Sequence, residues 1–134
     1  MFALPTIEVV QRLQQHAVIE CAAGSGLWMR ILRECGVDVI GIDKNPRGTD
    51  VIQADHTSLR QYRDRLLLVV WPPDGTDLQE WVDSWGGEWL AVCGCDARFI
   101  MPEMDVTYRT RLSGTKKGRS SFVLGKNPKH GGSN

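Results

Sequence analysis

The sequence predicts an α/β domain: a doubly wound, mostly parallel sheet with helices on both faces and a C-terminal antiparallel hairpin at one edge. Three observations carry this prediction. Five short apolar runs alternate with helical or loop crossovers, the pattern of a parallel sheet. Leu66 to Val70 is apolar without a break, as a central strand covered on both faces requires. The last two strand-like runs lie too close in sequence for a parallel crossover and must pair antiparallel. At 134 residues the chain can bury one sizeable core but has no room for a separate substrate domain.

Ile7, Val10 and Leu13 recur at helical spacing within Thr6 to Gln15, so a short helix precedes the first strand, which His16 to Ile19 enters. Ser25 or Gly26 opens the next helix, with Leu27, Ile31 and Cys35 on one face and Gly36 in the left-handed closing position. Strand two is Asp38 to Ile42, followed by the loop Lys44-Asn45-Pro46-Arg47-Gly48. Val51 to Ala54 reads as a short third strand, and Ser58 to Arg65 as a charged helix.

The fourth strand stops at Trp71-Pro72-Pro73-Asp74-Gly75. Thr76 with Gln79 has the spacing of a capping box for a helix whose apolar face is Leu78, Trp81, Val82 and Trp85. Gly86-Gly87 ends that helix, and Trp89 to Cys93 forms strand five. Asp96 to Glu103 is a loop or broken helix, interrupted by Pro102. Val106 to Leu112 and Ser121 to Leu124 make the hairpin, joined by the Gly- and Lys-rich turn Ser113 to Arg119. The domain is expected over residues 1–127, with 128–134 a flexible tail.

Hydrophobic content of 42% with 24% charge places the chain among soluble globular domains. No apolar run approaches the roughly 20 residues of a membrane span. The start Met1-Phe2-Ala3-Leu4-Pro5 lacks the form of a secretion signal, so a cytoplasmic location is expected. Cys21, Cys35, Cys93 and Cys95 are expected as ordinary buried thiols, since Cys93-Gly94-Cys95 has the wrong spacing for zinc. His16, His56 and His130 are too scattered to suggest a metal. The formal net charge is zero, yet no acidic residue follows Asp105, whereas Arg109, Arg111, Lys116, Lys117, Arg119, Lys126 and Lys129 do. A solvated hairpin accounts for this, and a surface for nucleic-acid phosphates is the sharper reading.

The most specific feature is Val18-Ile19-Glu20-Cys21-Ala22-Ala23-Gly24-Ser25-Gly26. An apolar strand ends in an acid, turns through spaced glycines and opens a helix, and Asp43 closes the next strand. That arrangement brings bare backbone to a ligand at the carboxyl edge of the sheet and sets a carboxylate where it can hold a ribose. A nucleoside-containing cofactor follows. On these residues, the order of elements and the closing hairpin, the chain resembles the Rossmann-like class I S-adenosylmethionine-dependent methyltransferases, from Thr6 to Asn127.

The resemblance implies S-adenosylmethionine as cofactor and a methyl acceptor as partner. It implies that Glu20, Ala22, Gly24 and Gly26 occupy the acid-and-glycine motif, Ala22 replacing its first glycine. Gly24 and Gly26 would line the methionine and ribose, and Glu20 would reach the methionine amino group. Asp43 would accept from the ribose hydroxyls, with Lys44 beside the adenine. Asp55 would accept from the adenine amine, with His56 flanking the ring. A nicotinamide cofactor is the rival, but the third glycine of its fingerprint falls at Met29, which would crowd the helix against the strand.

Trp71-Pro72-Pro73-Asp74 is similar to the Asn/Asp-Pro-Pro-aromatic motif of amine methyltransferases. The likeness is partial, because an indole only donates. Trp71 could stack on a flat acceptor, Pro72 and Pro73 shape the loop, and Asp74 could accept a proton. A stiff turn over a packed Trp is the structural alternative. With almost no insertions to form a lid, the acceptor site is expected to be open, completed by a partner copy in a homo-oligomer, or degenerate. A non-catalytic binding module and a nucleic-acid-binding protein using the basic hairpin are the competing functions.

Overall fold

The computed structural model describes residues 3–94, 97–112 and 120–131. In order these form α1 (Ile7–Leu13), β1 (Ala17–Cys21), α2 (Leu27–Glu34), β2 (Asp38–Asp43), β3 (Ile52–Gln53), a 3-10 helix (His56–Tyr62), β4 (Leu66–Val70), α3 (Leu78–Trp85), β5 (Trp89–Gly94), β6 (Asp105–Leu112) and β7 (Ser120–Lys126). The strands make one sheet in the order β3-β2-β1-β4-β5-β7-β6. The first five run parallel, and β7 lies antiparallel between β5 and β6. The expected α/β architecture, with its antiparallel edge, is present. Cys95, Lys116, Lys117 and Arg119 lie outside the described residues.

Alternation along the strands divides the core into two layers. Val18, Val39, Leu68 and Val70 point with Phe122 and Leu124 toward Val9 and Leu13 of α1 and Trp28, Met29 and Leu32 of α2. Ile19, Ile42, Leu67, Val69 and Val92 point the other way, toward Leu59 of the 3-10 helix and Leu78, Val82 and Trp85 of α3. All five residues of β4 are buried because both of its faces are covered.

The buried face of α2 is Trp28, Met29 and Leu32, which corrects the expected stripe of Leu27, Ile31 and Cys35. Leu27 and Cys35 are exposed. The cause is tertiary: the Trp28 indole donates to the carbonyl of Ala3 at 2.9 Å, which fixes that side of the helix inward under the N-terminal segment. The crowding expected at Met29 is relieved on the strand instead. A Cβ on Gly41 would come within 2.7 Å of the Met29 sulfur, so the missing side chain on β2 gives the thioether its space.

Smaller expectations also shift. Asp77, whose carboxylate accepts from Gln79 N–H at 3.1 Å, caps α3 in place of Thr76. The Thr76 hydroxyl turns back to the carbonyl of Pro73. The expected helix over Ser58 to Arg65 is the 3-10 helix, begun two residues earlier by the cap Asp55. Residues 128–131, expected to begin the flexible tail, form a turn: Lys129 pairs with Asp83, and a His130 ring nitrogen lies 3.1 Å from the carbonyl of Gly86.

Candidate functional site

The carboxyl ends of β1 and β2 lead into two turns that are stitched together by backbone hydrogen bonds. Ala23 N–H donates to Ile42 and Arg47 N–H to Gly24. Within the first turn Ala22, Gly24 and Gly26 have φ of 62°, 60° and 83°. The left-handed conformation is ordinary for the glycines and strained for Ala22, by roughly 1 kcal/mol. Gly26 is the N-cap of α2.

Asp43 joins the two turns. One carboxylate oxygen accepts from Gly24 N–H and the other from Asn45 N–H, both at 2.8 Å. Each oxygen keeps a free lone-pair direction, so the group is fixed in place yet able to accept from a ligand. Asp43 lies on the wall of a cavity of about 410 Å³ shared with Ala22, Lys44, Asp55, His56 and Trp81. That volume is in the range of small-molecule sites. Asp77 and Glu80 also line it, so four carboxylates face Lys44 and His56. Such a lining favours a ligand that brings positive charge and hydrogen-bond donors.

The opposite wall is aromatic. The His56 ring stacks at 14° on Trp81, and its Nε2 lies 3.3 Å from Glu80 Oε1. Asp55 is exposed, and hydrogen bonds from the hydroxyl and N–H of Thr57 hold its carboxyl below the usual range. As the cap of the 3-10 helix, Asp55 already has a structural task.

Glu20 occupies a different position. It is only 2% exposed, and alternation along β1 turns it to the side opposite Cys21, which itself lines the cavity. Its Oε1 has no hydrogen-bond partner among the described residues. Burial, reinforced by the charge of Asp43, pushes its carboxyl up to about 8. The same burial pushes the Cys21 and Cys93 thiols up to about 12.

The structure therefore gathers Ala22, Asp43, Lys44, Asp55 and His56 around one cavity and places Gly24 against Asp43. Trp71, Pro72 and Asp74 are not on its wall, whereas Pro73 is. Trp71 has φ of 49° and is half-buried against the α1–α2 layer. Pro72 is buried, and Asp74 forms an exposed ion pair with Arg98 at 3.3 Å. Sequence reading missed Asn45, Thr76, Asp77, Glu80 and Trp81 at the cavity, although a helix start following a strand end was a signal for the last four. It also missed Arg47, whose guanidinium would lie 2.9 Å from a Cβ on Gly24.

No protein-family model and no curated protein matches the sequence. Solved structures do match the fold. The Thermoplasma acidophilum protein 1320 aligns over 93% of this chain and 82% of its own, with a TM-score of 0.61 at 14% identity. The magnesium protoporphyrin IX methyltransferase ChlM from Synechocystis, solved with bound S-adenosylmethionine, aligns over 90% of this chain and 76% of its own, with a TM-score of 0.63 at 12% identity. The fold is that of the S-adenosylmethionine-dependent methyltransferases. The N-methyltransferase NodS from Bradyrhizobium japonicum, solved with S-adenosylhomocysteine, has it too, with a TM-score of 0.57 at 13% identity over 89% of this chain and 84% of its own. In this methyltransferase fold the cavity described above lies at the carboxyl ends of β1 and β2, beside the glycine turn.

Proposed function

We propose that the chain binds S-adenosylmethionine in the cavity at the ends of β1 and β2 and directs its methyl group to an acceptor. The observation that carries this reading is Asp43, a carboxylate fixed by Gly24 and Asn45 on the wall of an acidic, aromatic-edged cavity. The residues fit the cofactor. Asp43 accepts from the two ribose hydroxyls, and the Trp81–His56 wall flanks the adenine with Asp55 and Lys44 at its edge. Gly24 and Gly26 leave the turn without side chains toward the methionine. Glu20, buried with an unpartnered oxygen, receives its ammonium group, and Arg47 over Gly24 faces its carboxylate.

When bound, the cofactor supplies a methyl group already activated by its sulfonium. The chain's residues then need chiefly to orient donor and acceptor, a contribution on the order of 7–11 kcal/mol in favourable cases. The turn Trp71 to Asp74 leaves β4 beside the donor cavity, which Pro73 reaches. In this reading Trp71 and Pro72 shape the acceptor side, and Asp74 receives the acceptor's proton once its surface pair with Arg98 opens. Such an exposed pair is worth about 0–1 kcal/mol, so opening it costs little.

Calorimetric titration with S-adenosylmethionine, S-adenosylhomocysteine and NAD tests the assignment. Micromolar binding of the two sulfur nucleosides, roughly −8 kcal/mol, is expected. Tighter binding of NAD would defeat it. Binding without transfer of labelled methyl to any offered acceptor would leave a donor-binding module.

A further inference from the structure

A second concavity of about 330 Å³ lies over β5, β7 and β6 on the α3 side of the sheet. Its lining includes Phe99, Met101, Met104, Val106 and Val123, with Arg109 the single charged residue among those described. The strands explain the composition. β7 alternates its largest side chains, Phe122 and Leu124, into the α1–α2 layer and turns Val123 to the groove. Arg109 stands opposite Val123 in the register of β6 and β7. The remaining wall is Phe99 to Met104, tied to the α3 entry by Ile100 N–H donating to Thr76 and Leu78 N–H donating to Ile100. Met104 closes one end over Gly125, where a Cβ would meet its methyl at 3.0 Å.

Two features define the occupant. The apolar wall is left partly open to water: Val106 is 47% exposed at its rim. Two methionines supply soft, adaptable thioethers suited to an irregular apolar body. The Arg109 guanidinium makes no hydrogen bond or ion pair with any described residue, whereas Lys126 and Lys129 are paired with Glu88 and Asp83. Apolar side chains beside a guanidinium unpaired among the described residues complement a carboxylate on an apolar body, since the planar fork binds a carboxylate through two parallel hydrogen bonds. We propose that this groove is a ligand site for small apolar carboxylates, separate from the donor cavity and independent of the methyl-transfer reading.

The test is titration of the full chain with phenylbutyrate and its uncharged counterpart phenylbutanamide, followed through isotope-labelled methionine methyl groups. The chain reports on itself, because Met101 and Met104 line the groove while Met29 is buried on the other face of the sheet. Phenylbutyrate is expected to shift Met101 and Met104 and to leave Met29 unchanged. Phenylbutanamide should bind about tenfold more weakly, the loss of a charge-assisted hydrogen bond. Arg109→Gln, at an exposed position, should bring phenylbutyrate down to the amide's affinity with the spectrum of the folded protein retained. Val106→Glu, also exposed, should weaken the carboxylate more than the amide. Equal affinity for the two probes, indifference to Arg109→Gln, or equal shifts at Met29 would each overturn the proposal.

Discussion

The two halves of the sheet carry charge of opposite sign on the same scaffold. Around β1 and β2, four carboxylates stand among the side chains lining a 410 Å³ cavity, and backbone hydrogen bonds fix the central one. Around β5, β7 and β6, a 330 Å³ groove is lined largely by apolar side chains, with Arg109 the one charged residue among the described lining. The difference arises from strand direction. Parallel strand ends converge in turns that present backbone and carboxylates, whereas the antiparallel β6–β7 pair presents alternating side chains on its open face. The proposed ligands follow that difference: a sugar-bearing cation at one end and an apolar carboxylate at the other.

The comparison is broken most strongly at Glu20. Its carboxyl holds a proton in the folded state up to about pH 8 and in the unfolded chain only to about 4.5. The stabilisation from this group is thus complete below pH 4.5 and is lost as pH rises through 8. Glu20→Gln should abolish that loss, leaving the variant more stable than the parent at pH 9 by a few kcal/mol in denaturant melts. The same change should weaken S-adenosylhomocysteine and leave phenylbutyrate alone. In the parent, donor affinity should rise as pH approaches 8, with proton release detectable by calorimetry in buffers of different ionisation enthalpy.

Asp43→Ala comes next. Losing the ribose acceptor should cost about 3 kcal/mol of S-adenosylhomocysteine affinity, roughly a hundredfold, measured by calorimetry. Phenylbutyrate binding should not change. Equal losses at both sites would mean that the turn had collapsed and the two ends are not independent.

A smaller effect sharpens the account of the glycine turn. Ala22→Gly should relieve the left-handed strain and raise stability by up to about 1 kcal/mol, read as a higher Tm. No gain would show that chain entropy in the unfolded state cancels the relief. Smallest in stability is Asp74→Asn. It removes only an exposed ion pair, so Tm should move by less than the equivalent of about 0.5 kcal/mol. Methyl transfer should nevertheless fall if this carboxylate takes the acceptor's proton.

How much of this was legible in the sequence varies by the kind of force involved. β4 was read with its bounds because five apolar residues between polar boundaries have few other places to go. Asp43 was legible because a strand end fixes where its last side chain lies. The inward face of α2 was not, since a short helix with apolar residues on two sides is oriented by a partner far away in sequence, here Ala3 with Trp28. The start of α3 was misread for a similar reason: Thr76 and Asp77 can both cap, and the bridge from Asp77 to Ile100 selects the second. Glu88 and Asp83 neutralise Lys126 and Lys129 across the fold, so the run of charge after Asp105 is less uniform in space than in sequence.

The cysteines give this molecule a practical asymmetry. Cys21 and Cys93 are buried thiols raised to about 12 and will hold their protons at neutral pH, inert toward electrophiles. Cys35 stands exposed at the far end of α2, away from both concavities. Among the described thiols it alone is available for maleimide attachment, so a fluorophore placed there would report tumbling and association while leaving the binding surfaces untouched.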